Sequence, residues 1–409
     1  MDDSMWDEST GGVTAARGFR AGTARCGIKQ AESDDLALLV CDADALTAAA
    51  VFTTNRVCAA PVHWSREALR GEDVRAAVVN SGNANACTGE RGLRDAEAMA
   101  TLAAEALGLA PRQVAVASTG IIGHYLPMDK LPPGIEAAAA ALDDSPDAGL
   151  RFARAIMTTD TVAKHRALRC DLGDGAAVTL GGATKGAGMI APGMATTLTF
   201  LTTDASVDRT ALAGMLTRAI DASYNRISID QHMSTNDTCL LLASGAADAP
   251  PVAAGSEPAQ RFEAALGELC DGLARQIVAD GEGATKRVRI EVAGAPDEAT
   301  AVAVGRAIAD SPLCKCAFHS GDPNWGRFVS AAGYACPALE EARARFWIGD
   351  VLAYARGAAT DASPAALAAA MAGDEIHLRY DLGLGAAQAT VWTCDLSADY
   401  IAINAEYHT

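Results

Sequence analysis

Thr196 closes a run of small residues. The stretch KGAGMIAPGMATTLTFLTTDA, residues 185–205, is rich in Gly, Ala and Pro before that threonine and in Thr after it. A nucleophilic hydroxyl needs a base beside it. A threonine that begins a chain carries its own, because a free α-amine has a pKa near ~8 and can take the Oγ proton. Such a threonine arises if the backbone is cut between Ala195 and Thr196, and a small, flexible approach suits that distortion. A turn leading into a strand fits the same residues. STGIIG, residues 118–123, offers a hydroxyl at Thr119 and an N–H at Gly120. Two such donors aimed at one oxygen make an oxyanion hole, and the same pair can simply end a strand. Lys185 and Glu282 sit in the Gly-rich runs GGATKGAG and GEGATK. Neither run has the G-x-x-x-x-G-K-[ST] order that cradles phosphates. Both read as tight turns, which could present opposite charges to one pocket.

These groups need a scaffold. LALLVCD (36–42) and AAVVNS (76–81) are apolar runs of strand length, and QVAVAST (113–119) alternates as a strand feeding a loop would. Helices are expected over 94–108, with Gly108 as C-cap, over 208–221, with Asp208 as N-cap, and over 259–278. Residues 131–150 read as one helix with loop edges and residues 1–20 as a loose arm. Strands are expected near 287–294, 344–349, 376–383 and 387–396, with a helix over 297–310 between the first two. The order lacks a regular βαβ beat, so an α/β fold of sheets covered by helices is expected rather than a doubly wound parallel sheet. Four polar patches, NSGNANACTG, IMTTDT, DQHMSTNDT and SGDPNWGR, suit either complex loops or the lining of a polar pocket.

The 409 residues, half of them apolar, suffice for two or three packed layers, and with 5% aromatics the core must use small and aliphatic side chains. A net charge of −18 disfavours nucleic acid and anionic membranes as partners. The eleven cysteines form no Cys-x-x-Cys pair and the seven histidines no zinc spacing, so free thiols, no metal and a reducing cytoplasm are expected. The acidic start is unlike a signal peptide, and no apolar run is long enough to span a membrane.

Taken in order, RGFRAGTARCGIK, AAVFTTNRVCAAPV, NSGNANACTG, ASTGIIG, RAIMTTDT, the 185–205 stretch, STNDT, DGEGATK, SPLCKCAF, GDPNWGR and INAEYHT resemble the ornithine acetyltransferase family of arginine biosynthesis, the bifunctional glutamate N-acetyltransferase type. The likeness runs from about residue 17 to residue 409. It implies an α/β fold of layered sheets flanked by helices, an N-terminal-nucleophile-like sandwich, self-cleaved between Ala195 and Thr196. The α chain would be 1–195 and the β chain 196–409, with a smaller C-terminal part from about 285. Thr196 would be the nucleophile and Thr119 and Gly120 the oxyanion hole. Thr158, Lys185, Glu282, Asn404 and Thr409 would line the substrate site together with Thr196. The implied substrates are N2-acetylornithine and glutamate, with no cofactor and with acetyl-CoA as a candidate second donor. The two chains would stay associated in a heterotetramer or larger assembly. Gly193, Gln231, His232, Cys314 and Cys316 depart from the residues usual in the family. A relative with another amino-acid donor or acceptor, or an N-terminal-nucleophile hydrolase, would carry the same core residues.

Overall fold

The computed structural model describes residues 5–71, 74–192 and 197–406. Two mixed sheets lie face to face. The four-stranded sheet runs in the order Phe19–Ala24, Leu36–Cys41, Ala76–Asn83, Val114–Ile121. The six-stranded sheet runs in the order Trp6–Ser9, Lys164–Gly173, Ala176–Lys185, Leu198–Thr203, Thr238–Ala243, Thr47–Phe52.

The period-two alternation of each strand decides which layer each side chain joins. Ala37, Leu39 and Cys41 point inward with Ala77, Val79, Ala115 and Ala117, and meet Leu198, Phe200, Leu240 and Leu242 of the other sheet. Their neighbours Leu36, Leu38, Val40, Val78 and Val116 point outward onto the helices Ala60–Ala68, Gly89–Leu107 and Leu131–Ala140. On the far side Leu201, Cys239 and Leu241 pack under the helices Arg209–Ala222 and Glu257–Ala279. The result is four layers, helix–sheet–sheet–helix. The inner layer is rich in alanine, which lets the sheets approach with few aromatics between them. One exception is the edge-to-face pair Phe152–Phe200, with centroids 5.3 Å apart.

Residues 287–394 build a second core. Its six strands, joined at one edge by the short strand Ile227–Ser228 to make a seven-stranded sheet, carry Ile290, Phe346, Leu378 and Val391 against the helices Glu298–Asp310 and Trp325–Ala335. The other face of this sheet is polar, as the alternation in Glu375–Asp381 requires. The helix Ala398–Glu406 follows, with no buried residue of its own.

Most expected elements form. Gly108 ends its helix in the left-handed region, and Asp208 accepts from the N–H groups of Thr210 and Ala211. Four readings need correction. Within residues 1–20, Trp6–Ser9 pairs antiparallel with Lys164–Gly173 and Val13 is fully buried, so tertiary pairing orders a segment whose local sequence is polar. The 131–150 segment holds two helices, Leu131–Ala140 and Pro146–Ala155, the second capped by Ser145. The strand that carries Thr119 does not stop at Gly120 but continues to Ile121. The run GGATKGAG is no turn over its first half: Gly181 to Lys185 continue the strand Ala176–Lys185. A Cβ on Gly181 would stand 1.9 Å from the carbonyl oxygen of Gly12, so these glycines admit a close approach rather than a bend.

Candidate active site

Five chain segments converge on one pocket. The strand Val114–Ile121 brings Thr119 and Gly120 to its rim, where they lie beside Ser81 and Gly82 of the parallel neighbour. Gly120 has φ +131, and a Cβ there would stand 2.3 Å from the carbonyl carbon of Gly82, so no other residue fits without moving the sheet. Lys185 ends the strand Ala176–Lys185 and is 3% exposed. Its Nζ donates to Thr119 Oγ1 at 3.2 Å, which ties the two sheets together at the pocket. Thr158 enters from the loop after Pro146–Ala155. Glu282 sits in the turn after Glu257–Ala279, and its N–H donates to Ala187 O at 2.8 Å. A Cβ on Gly188 would fall 2.4 Å from Glu282 Oε2, so that glycine makes the seat for the carboxylate. Asn404, from the helix Ala398–Glu406, closes the far wall by donating from Nδ2 to Glu282 Oε2 at 2.8 Å.

Thr119, Gly120, Thr158, Lys185, Glu282 and Asn404 thus line one cavity of about 200 Å³. Drug-sized ligands occupy roughly 300–1,000 Å³, so this space suits a small metabolite. Ala195, Thr196 and Thr409 lie outside the described residues, as do Gly193 and Met194. Among the described residues no His, Cys, Asp or Glu cluster has the arrangement to hold a metal, and all eleven cysteines are free. No helix among them is long and apolar enough to cross a membrane.

The electrostatics favour a polar, charged ligand. Burial pulls the Lys185 ammonium below its ordinary lysine pKa, and Lys164 acts the same way, while Asp160, Glu282 and Asp237 oppose them. Burial pushes the Asp160 carboxyl up, but Lys185, Lys164 and the hydrogen bonds it accepts outweigh this and hold it at about 2. Asp237 goes the other way. Burial drives its carboxyl well above the ordinary range, although Thr197 N–H donates to Oδ1 at 2.8 Å. Among the described residues Asp237 Oδ2 and Thr197 Oγ1 are buried with no partner.

Several supports were not singled out in the sequence. Asp230 accepts from the N–H groups of Met189 and Ile190 at 2.6 and 2.9 Å and from Tyr400 Oη at 3.2 Å. It therefore fixes both the Gly-rich segment after Lys185 and the C-terminal helix. Asn236 donates to Ala84 O and Ser118 O, binding its loop to the strand that carries Thr119. Asp160, Asp230 and Asn236 fall within polar patches legible in the sequence. Lys164, Asp280 and Tyr400 do not, and for Lys164 the one available signal was scarcity: of the 33 lysines and arginines only six are lysines.

Buried strand ends from two stacked sheets, with a lysine and a glutamate facing one small cavity, define an α/β protein with a small, charged pocket between its sheets. A profile of the ArgJ family matches residues 20–409. An arginine biosynthesis bifunctional protein ArgJ of Streptomyces avermitilis is 47% identical over 395 residues, 97% of this chain and 99% of that one. The protein of the same name from a Synechococcus species is 44% identical across the whole of both chains. A chain of the crystal structure of ornithine acetyltransferase with ornithine from Mycobacterium tuberculosis is 41% identical. It covers 46% of this chain and 98% of its own, with a TM-score of 0.43. This chain belongs to the ArgJ family.

Proposed function

We propose that the protein is a self-processing acetyltransferase of arginine biosynthesis that moves acetyl from N2-acetylornithine to glutamate. The observation that carries this reading is the convergence of Thr119, Gly120, Thr158, Lys185, Glu282 and Asn404 on one small cavity, in a chain of this family. Thr196 Oγ attacks the backbone carbonyl carbon of Ala195; the Ala195–Thr196 C–N bond breaks, which frees the Thr196 amine and leaves an ester on Oγ, and water hydrolyses that ester to release the Ala195 carboxylate and restore the hydroxyl. In the mature site the same Oγ attacks the acetyl carbonyl carbon of N2-acetylornithine, while the α-amine takes the hydroxyl proton. The C–N bond breaks, the proton passes to the leaving amine, and ornithine departs from an acetyl-Thr196 ester. The amine of glutamate then attacks that ester, and its proton returns to Oγ as N-acetylglutamate leaves. Thr119 and Gly120 donate to the oxyanion of each tetrahedral intermediate, where one such donor contributes roughly 3–4 kcal/mol. Lys185 receives the amino-acid carboxylate, and Glu282 the ammonium. The fold is of the N-terminal-nucleophile type.

Sheet pairing gives a reason for the halves to stay together after the cut. Leu198–Thr203 pairs antiparallel with Ala176–Lys185 on one side and parallel with Thr238–Ala243 on the other. Thr238–Ala243 pairs in turn with Thr47–Phe52. Residues 1–195 and 196–409 therefore both contribute strands to one sheet, and a cut between 195 and 196 leaves these pairings in place. Association of two such pairs into a heterotetramer belongs to the same proposal, as does a cytoplasmic location. So does use of acetyl-CoA as a second donor.

Intact-mass spectrometry tests the mechanism, with the protein alone and after brief mixing with N2-acetylornithine. Two chains split at 195/196, with the second gaining one acetyl group, is the expected result. Two chains without the gain would refute the donor, and a single uncut chain would refute the nucleophile.

A further inference from the structure

Behind the pocket floor runs a line of alternating buried charges: Asp280, Lys164, Asp160, Lys185. Lys164 is fully buried. Its Nζ lies 2.7 Å from Asp160 Oδ1 and 2.5 Å from Asp280 Oδ2. Asp160 also accepts from Gly186 N–H at 2.7 Å, through Oδ1, and from Thr158 N–H at 3.0 Å, through Oδ2. One carboxylate thus holds the backbone on either side of the pocket, at Thr158 and beside Lys185. Asp280, at the end of the helix Glu257–Ala279, is anchored in turn by Thr161 and by Val162 N–H.

A buried ammonium with no counter-charge gives up its proton, and one fully satisfied by a carboxylate has nothing left for a ligand. Alternation resolves both demands. Asp160 is shared between two cations, and Lys164 between two carboxylates. Lys185 stands at the end of the row, where the only direct hydrogen bond of its ammonium among the described residues is the one to the Thr119 hydroxyl. Carboxylates thus lie near it while its ammonium makes no ion pair of its own among the described residues, the condition for gripping an incoming carboxylate.

We propose that Asp160 and Lys164 are positioning residues that set the charge and placement of Lys185, and through it the capture of the substrate carboxylate. Five titratable groups face Lys185. Asp160, Glu282 and Asp237 favour its ammonium; Lys164 opposes it, as does Lys29, which burial brings to about 8. Removing the Asp160 charge lowers the pH at which Lys185 loses its proton, and removing the Lys164 charge raises it. A purely structural role gives no reason for opposite signs.

Six lysines make the experiment tractable in the whole chain. With ¹³Cε-labelled lysine, the Lys185 signal is assigned by its loss in Lys185→Arg and followed by NMR from pH 6 to 11. In Asp160→Asn the midpoint is expected to fall by about one pH unit or more, and in Lys164→Met to rise. Should Asp160→Asn not fold, the direction in Lys164→Met decides alone. An unchanged midpoint, or movement of both variants in the same direction, overturns the proposal. The kinetic counterpart rests on the acetyl-transfer reading. The alkaline limb of kcat/KM should move down in Asp160→Asn and up in Lys164→Met, about tenfold in rate per pH unit above the midpoint. A wild-type protein that transfers no acetyl would refute that reading while leaving the titration to judge the charge row.

Discussion

Gly120→Ala should damage catalysis and stability together, and the structure fixes by how much. The added Cβ would stand 2.3 Å from the Gly82 carbonyl carbon, 2.5 Å from Asn83 N and 2.7 Å from Gly82 Cα. All three atoms are backbone, so no side-chain rotation relieves the clash. The strand Ala76–Asn83 is packed on both faces, and restoring an ordinary contact requires the two strands to part by about 1 Å. Overpacking of this kind costs roughly 1–3 kcal/mol, and a side chain at positive φ about 1–2 kcal/mol more. The sum, about 2–5 kcal/mol, is a large part of the 5–15 kcal/mol typical of a domain. A displacement of about 1 Å at a reacting centre costs on the order of 100-fold in rate. Gly123→Ala is the internal control: its φ is +84, but nothing lies within 4 Å of the added Cβ. It should lose only the strain energy and keep kcat/KM within a few-fold. Thermal unfolding followed by circular dichroism, with initial rates of acetyl transfer, reads both effects. If Gly120→Ala matches Gly123→Ala in melting temperature and kcat/KM, the close approach of Gly82 does not govern the site.

Thr196→Ala should yield one uncut chain with no acetyl transfer; a cleaved or active variant would remove Thr196 from the mechanism. Glu282→Gln should raise KM for the amino-acid substrates roughly 10- to 100-fold, the worth of a charge-assisted hydrogen bond, with kcat changed less. Equal KM values would take Glu282 out of substrate binding. Asp237→Asn tests a raised carboxyl pKa. A folded-state pKa above the unfolded value contributes stability at low pH that is lost as pH rises. The asparagine variant should therefore melt higher than wild type at pH 8, with the gain shrinking toward pH 4. A gain that grows on acidification would contradict the burial argument.

What the sequence revealed was set by range. The faces of Leu36–Cys41 and Ala76–Asn83 follow from alternation, and helix ends at Gly108 and Asp208 follow from local capping, so both could be read. Gly181 could not, because its reason is Gly12, which lies far off in the chain and only 1.9 Å from the Cβ it lacks. The same limit governed the site. Thr119, Gly120, Lys185 and Glu282 stood out through small-residue motifs and a family likeness. Lys164 and Asp280 are separated by more than a hundred positions, and nothing local marks either as half of a buried pair. Tyr400 reaches Asp230 from a helix with no buried residue, so no apolar stripe announced it.

That last helix has a consequence for the order of synthesis. The two stacked sheets are complete once Thr238–Ala243 has emerged, and Glu282 follows soon after. Asn404, which closes the wall against Glu282, comes 122 residues later. At about 5–20 residues per second, roughly 6–24 s separate the synthesis of Glu282 from that of Asn404. On the proposed function, a ribosome-bound intermediate of this protein carries its acyl-transfer residues before the residue that closes the substrate wall.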